Sequence, residues 1–551
     1  MKKTMLVKNF CTNLILSLTL GITILGSSMT AQAAKKAIIY IPLDNRPVCD
    51  SYPKNVLRAA GYKVYSPPEK FIATRTTPAN SEALWKWLET KADDCGAAVI
   101  STDALIYGGL VASRTHHFTT EELNQRVTRL KNLHLDTNIK LYAFSTLMRT
   151  PEQSFGNVEP EYYSKLGPAI YKYSQLYDKM DENKASIREG VINKAIERNI
   201  DRFPLQDWLE RRDKNMAVNH KLAELSRFGK FHYFAVGKDD NAPLSHTHME
   251  ARQLSQSTLT VPEKDFQILP GVDQLGLLLV ARAINEMEGV TPKIYPLYVE
   301  GTGPNTIPQY SDLTLDESVP QQIAAAGGIL ASSWQTADVV LAINTPPDGI
   351  MQDSTAPSNL FFSSPANKRY LTRLQGILNN GKVVSLADVA YSNGADNGFM
   401  NELGLRGMLT RLAAYNGWNT ADNTIGFAIA QGMLERDTKK ADQLQLMRER
   451  VLDDWFYQAV ARRTITDKLE NAKLTPVKYN LGPSTAAVHK AVMDIVKPLA
   501  LKYDLTRYTS FDIRFPWDRL FEVEVTNIKT KAVPAKKAGR SDSRHAFSED
   551  N

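Results

Sequence analysis

The sequence predicts an α/β fold with mostly parallel strands, on three observations. Apolar stretches of strand length recur along the 551 residues: "KAIIYIPL", "YKVYSP", "GAAVIST", "IKLYAFSTLM", "FHYFAVG", "KIYPLYVEG", "DVVLAINT" and "KVVSLAD". Helical stretches such as "SEALWKWLETKA", "TEELNQRVTRLKNL", "DQLGLLLVARAINEM" and "NKRYLTRLQGILNNG" separate most of them, the alternation that parallel sheets with crossover helices require. The run "AIIYI" at 37–41 is apolar at every position. A strand buried on one face would alternate, so this one is buried on both. Such a strand count suits either a distorted (β/α) barrel or doubly wound sheets. The first half is read as the barrel, followed by a Rossmann-like unit from about Lys293.

Along the chain, Lys2, Lys3 and Lys8 precede the apolar run "LILSLTLGITIL", and "AQA" ends at Ala33. This is the pattern of a cleavable secretory signal peptide over 1–33. The run is shorter than the ~20 residues that span a bilayer, so no membrane span is expected after cleavage. An N-terminal α/β domain of catalytic type is expected over 34–300. It carries a polar helical insertion at about 151–229, of the kind that forms a lid or wall over a site or merely covers a sheet. "GTGPNTIPQYSDLTLD" at 301–316 is rich in turn formers and marks a boundary. The Rossmann-like part with a helical end then occupies 301–525, and a flexible basic tail 526–551.

The composition, 43% hydrophobic and 23% charged, is that of a globular protein. The formal charge of +6 is concentrated in the leader and the tail. The body is therefore near neutral, and no nucleic-acid partner is expected. Cys11 lies in the leader, leaving Cys49 and Cys95, which outside the cytoplasm either pair or stand as two buried thiols. P-loop, dinucleotide, nucleophile-elbow and metalloprotease motifs are missing, so no cofactor is expected.

Polar groups follow one strand after another. "AIIYIPLDNRP" presents Asp44, Asn45 and Arg46 between Pro42 and Pro47; Asp103 follows "AAVIST"; Arg149 follows "LYAFSTLM"; Asp239, Asp240 and Asn241 follow "HYFAVGK". In parallel α/β folds, ligands bind beyond the carboxyl ends of the strands. Short acids and amides there also cap helices and make turns. Adjacent Asp239 and Asp240 repel when both are ionised in a dry pocket, so one should have a raised pKa and act as a general acid. Arg46 is expected to pair with Asp44 or with an acid of "KDDNA", because a buried guanidinium needs a carboxylate. "DVAYSNGADNGFM" adds Asn393 and Asp396, and "AAYNGWNTADNT" adds Asn416, Trp418 and Asn419. Amides with an aromatic platform suit a sugar, which offers hydroxyls and an apolar ring face.

On "PLDNRP", "STDALIYGGLVASR", "GKDDNAP", "PGVDQLGLLLVAR", "DVAYSNGADN" and "YNGWNT", the chain resembles a family of secreted or cell-envelope bacterial proteins catalogued as a domain of unknown function. The resemblance covers roughly Lys36 to Phe521 and supports these site positions without naming a reaction. The Asp-Asp-Asn block is also similar to the acid pair of hexosaminidases of the O-GlcNAcase and hyaluronidase kind. There, one carboxylate orients the substrate acetamide and the next protonates the leaving oxygen. The leading expectation is a secreted glycan hydrolase. Asp239 and Asp240 are its acid and orienting groups, and Asp44, Asn45, Arg46, Asp103, Arg149, Asn241, Asn393, Asp396, Asn416, Trp418 and Asn419 hold a carbohydrate or other polyol. The alternatives are a non-catalytic envelope saccharide-binding protein, or a metal-dependent hydrolase using Asp44, Asp103, Asp239 and His246.

Overall fold

A computed structural model describes residues 36–530 except 92–94, 134–138, 153, 155–156 and 504–508. The leader expected at 1–33 and the chain beyond Thr530 lie outside the described residues. Strands β1 (Ala37–Ile41), β2 (Lys63–Tyr65), β3 (Ala97–Ser101), β4 (Lys140–Leu147), β5 (Tyr233–Lys238) and β6 (Phe266–Pro270) form a six-stranded sheet in the order β2-β1-β3-β4-β5-β6. Every neighbouring pair is parallel. β1 is buried at all five positions, as its uninterrupted apolar run requires.

This sheet is open, with β2 and β6 at its edges, so the barrel expected for the first half is corrected to a doubly wound sheet. The physical reason lies in the helix Leu275–Glu288 that follows β6. Leu275, Leu277, Leu278, Leu279, Val280, Ala281, Ala283 and Ile284 on it are all fully buried. The stretch 275–281, apolar on every side, needs cover all round, whereas a helix on the outside of a barrel keeps a solvent face along its length. Here the cover is a second sheet. Strands β7 (Lys293–Tyr298), β8 (Ile329–Leu330), β9 (Val339–Asn344), β10 (Gln352–Asp353), β11 (Val383–Asp388), β12 (Tyr391–Ser392) and β13 (Ala414–Asn416) follow. Five of them form a parallel sheet in the order β13-β11-β9-β7-β8, while β10 and β12 pair separately. The equally buried helix Ala421–Leu434 packs against Leu275–Glu288, and one core runs from Ile38 and Tyr40 on β1 to Val339 and Leu341 on β9.

The insertion is helical as expected, with helices Tyr163–Asp181, Ile187–Asn199 and Arg202–Arg227. It docks through His246, which stacks on Tyr173 and Tyr177, meets Trp208 edge-on, and bonds Ser174 Oγ through Nδ1 at 2.8 Å. Near the C-terminus, β14 (Thr509–Arg514) and β15 (Glu524–Thr530) pair antiparallel, so residues 526–530, assigned above to the tail, lie in a strand. Cys49 and Cys95 are buried in different cores, which makes them two separate thiols. No described helix is long and apolar enough to cross a membrane.

Gly109 shows how tightly the strand ends are packed. Its φ is +108°, and a Cβ there would sit 2.5 Å from Ala73 Cβ and 2.9 Å from the Leu43 carbonyl oxygen. Gly109→Ala is expected to cost about 1–3 kcal/mol, read as a lower urea midpoint. A midpoint equal to the parent's would show that these loops yield freely.

Candidate functional site

A cleft of about 680 Å³ opens at the carboxyl ends of the first sheet. Its floor is built by turns that convert buried strands into presented charges. Asp44 Oδ1 accepts from the Arg46 amide and from Arg46 Nε, both at 3.0 Å. Asp44 Oδ2 accepts from Nη2 at 2.9 Å. The same guanidinium donates to Asp273, Nη1 to Oδ2 at 3.0 Å and Nη2 to Oδ1 at 2.6 Å. Two carboxylates thus engage one planar fork, the geometry in which arginine differs most from lysine. Arg46 pairs with Asp44 as expected, but its second partner is Asp273 of "PGVDQ" rather than an acid of "KDDNA".

A second cluster adjoins it. Arg114 pairs with Asp239 and, at 3.3 Å, with Glu159. Arg149 reaches Glu159 through Nε at 2.7 Å and Asp240 through Nη1 at 2.6 Å. Burial pushes the Asp239 carboxyl up to about 6; Arg114 pulls it back and Asp240 adds to the rise. Of the adjacent pair, Asp239 is therefore the group poised to hold a proton. Glu159, Glu152 and Tyr171 come from the insertion segment, and the last two line the cleft, so the insertion forms a wall.

The upper wall comes from the second half of the chain. Asn393, Asn419 and Tyr310 line it, with the rings of Trp517 and Phe521. Half of the described non-glycine residues with left-handed φ, namely Asp240, Tyr310, Asn393 and Asn419, line this one cleft. Such backbone is costly, most of all for a bulky residue such as Tyr310, and it concentrates where geometry serves a ligand.

Of the residues named from sequence, Arg46, Arg149, Asp239, Asp240, Asn241, Asn393 and Asn419 come together here. The others do not line the cleft, and each has a local reason. Asp44, 1% exposed, is spent on Arg46. Asn45 Oδ1 accepts from Trp517 Nε1 at 2.7 Å and so holds that ring 5.1 Å from the Arg46 guanidinium carbon. Asp396 caps the helix Asn397–Leu405, accepting from the Gly398 and Phe399 amides. Asn416 is buried and accepts from Tyr52 Oη at 3.1 Å. Trp418 is 2% exposed and meets Phe521 edge-on, so Phe521 is the ring of that pair that faces the cleft, while Trp517, 3% exposed, lies against the Arg46 and Arg519 guanidinium groups at its edge. Among the described residues, no group of three or more His, Cys, Asp and Glu is arranged to hold a metal ion. The four residues of the metal-dependent alternative are engaged separately: Asp44 by Arg46, Asp103 by the hydroxyls of Ser145 and Thr146, Asp239 by Arg114, and His246 by Ser174.

Sequence reasoning missed Arg114, Glu159, Asp273, Tyr310, Trp517 and Phe521. Asp273 and Arg114 belong to two of the sequence motifs, "PGVDQ" and "YGGLVASR", and the acid or base closing each was the available signal. Trp517 and Phe521 carried none, because only the tertiary fold brings them back to β1.

Asp103 is fully buried and does not reach the cleft. Its surroundings bear on its protonation through hydrogen-bond arithmetic. Asn219 Nδ2 donates to the Thr146 carbonyl at 3.1 Å, which orients the amide, so Asn219 Oδ1 must accept from Ser145 Oγ at 2.7 Å. That uses the single hydroxyl proton. Ser145 Oγ also lies 3.0 Å from Asp103 Oδ1, so one hydroxyl proton faces two acceptors and compensates an ionised Asp103 only in part. Burial accordingly pushes its carboxyl up to about 7. Its folded pKa thus lies above the ordinary 3.8 of the unfolded chain. Between about pH 4 and 7 the folded state keeps a proton the unfolded state has lost, and stability falls as pH rises. Asp103→Asn should therefore fold, and should gain on the parent by at most about 1.4 kcal/mol per pH unit across that window. Urea unfolding at pH 5 and pH 7 measures it, and a difference independent of pH contradicts the assignment.

No curated protein and no solved structure matches the chain. A family model described as "Protein of unknown function (DUF4127)" matches residues 38–526, a span that contains every cleft residue named above. The chain belongs to this family.

Proposed function

We propose that the cleft is the active site of a glycan-directed hydrolase acting outside the cytoplasm, with Asp239 as general acid and Asp240 as the orienting carboxylate. The observation that carries this reading is Asp239: a buried carboxyl poised near pH 6 at the end of a core strand, in a cleft walled by amides and aromatic rings. A general acid works best with a pKa near the operating pH. Asn241 Nδ2 and Asn393 Oδ1 are buried without a partner among the described residues, a donor and an acceptor suited to ligand hydroxyls. Phe521 and Tyr310 supply faces for sugar stacking. The adjacent acid pair has the composition of the hexosaminidase-like motif, with the roles distributed in the opposite order. Substrate-assisted enzymes of that kind stand outside the usual two-carboxylate scheme.

One observation favours the second reading, a saccharide-binding protein without turnover: each carboxylate is already held by an arginine, Asp239 by Arg114 and Asp240 by Arg149. Aryl glycosides and wall glycans separate the two. Hydrolysis should fall as pH rises through about 6, because the acid must be protonated. Asp239→Asn should lower the rate by about 10²–10⁴-fold while ligand affinity stays within a few-fold. Binding without turnover of any glycoside in a broad panel, by a folded parent protein, gives the second reading.

A further inference from the structure

A second groove of about 300 Å³ adjoins the cleft across Tyr310, and Asn241, Ala242, Gln309 and Tyr310 line both spaces. The lining changes character across that divide. Past Tyr310 the walls are Pro243, Ile307, Pro308 and Met351 with the single hydroxyl of Ser311, where the cleft itself has arginines, acids and amides. Ile307 is 49% exposed, and Ile350, next in the chain to Met351, is 65% exposed. Large aliphatic side chains left in water beside a polar cleft gain when a ligand covers them.

The divide is fixed rather than incidental. The Tyr310 carbonyl accepts from the Asn241 amide at 3.1 Å, and the buried ion pair of Lys238 with Asp312 pins the same loop to the end of β5. Those anchors hold Tyr310 at a φ of +66°, a conformation a tyrosine adopts only when its surroundings impose it. A loop free to relax would not keep it.

From this adjacency we propose that the protein takes an amphiphilic ligand that passes over the shared wall. Its polyol part lies in the cleft over Asp239 and Asp240, and an apolar alkyl, acyl or aryl substituent lies in the groove of Pro243, Ile307, Pro308 and Met351. This deepens the reading of the cleft as a saccharide site and rests on it.

The test is calorimetric titration with matched methyl and octyl glycosides of one panel of sugars, each below its micelle concentration. The octyl compound should bind at least tenfold more tightly than its methyl partner. Ile307→Glu and, separately, Pro243→Glu should abolish that increment and leave methyl-glycoside affinity at the parent value, which also reports that each variant is folded. Equal affinity of methyl and octyl glycosides overturns the groove and leaves the cleft reading standing. An octyl increment that both variants retain is non-specific adsorption and also overturns it. Binding of neither compound overturns the saccharide reading and the groove with it.

Discussion

The fork of Arg46 between Asp44 and Asp273 is the interaction on which the rest of the site depends. β1 and β6 are not neighbours in the sheet, with β3, β4 and β5 between them, so no backbone ladder fixes one strand end against the other. The guanidinium spans that gap. It does so because the helix after β6 returns beneath the sheet to β1: at Gly276 a Cβ would lie 2.5 Å from Tyr40 Oη, so glycine permits the close crossing that brings Asp273 to Arg46. Asn419, from the second half of the chain, also donates to Asp273 Oδ2 at 3.4 Å. One acid thus joins both sheets at the cleft floor. Buried charges are expensive to desolvate, and such a cluster persists only when geometry and hydrogen bonds offset that cost.

Paired charge near the floor gives way to poised protons around Asp239. Asp44 and Asp273 share all the donors of Arg46, whereas Asp239 competes with Glu159 for Arg114, and Glu159 competes with Asp240 for Arg149. Asp239 and Asp240 each receive one guanidinium nitrogen there, against two each for Asp44 and Asp273. Burial then acts on the acids that are least compensated, raising Asp239 and Asp103, which has two hydroxyls and a backbone amide to bond but no guanidinium. The same fold therefore contains carboxylates that hold structure and carboxylates able to exchange protons, separated by how many guanidinium donors each receives.

Much of this was legible in the sequence, and the failures have physical causes. The parallel α/β class followed from apolar runs such as "AIIYI", and the start of the second sheet at Lys293 from the run that opens there. The barrel expectation failed because strand count and burial are alike in both architectures. The deciding signal, the helix Leu275–Glu288 with no polar residue before Arg282, speaks of a neighbour that sequence does not show. Asp239, Asp240 and Arg46 were found because local chemistry marks them: adjacent acids in a dry turn, and an arginine braced by prolines. Asp396 and Asn416 look the same in sequence, but Asp396 caps a helix N-terminus and Asn416 is buried against the Tyr52 hydroxyl. Trp418 has the composition of a sugar platform and turns inward, while Trp517, nearly five hundred residues from β1 in the chain, supplies the ring beside Arg46.

The most direct test of the central claim is the unfolding free energy of Arg46→Met beside that of the triple variant Arg46→Met/Asp44→Asn/Asp273→Asn. If the fork organises the strand ends, the single substitution strands two buried carboxylates and costs roughly 3 kcal/mol or more. The triple variant, which removes both charges with the guanidinium, recovers most of that loss. A single variant as stable as the parent would contradict the account, because the buried fork would then carry none of the fold's stability.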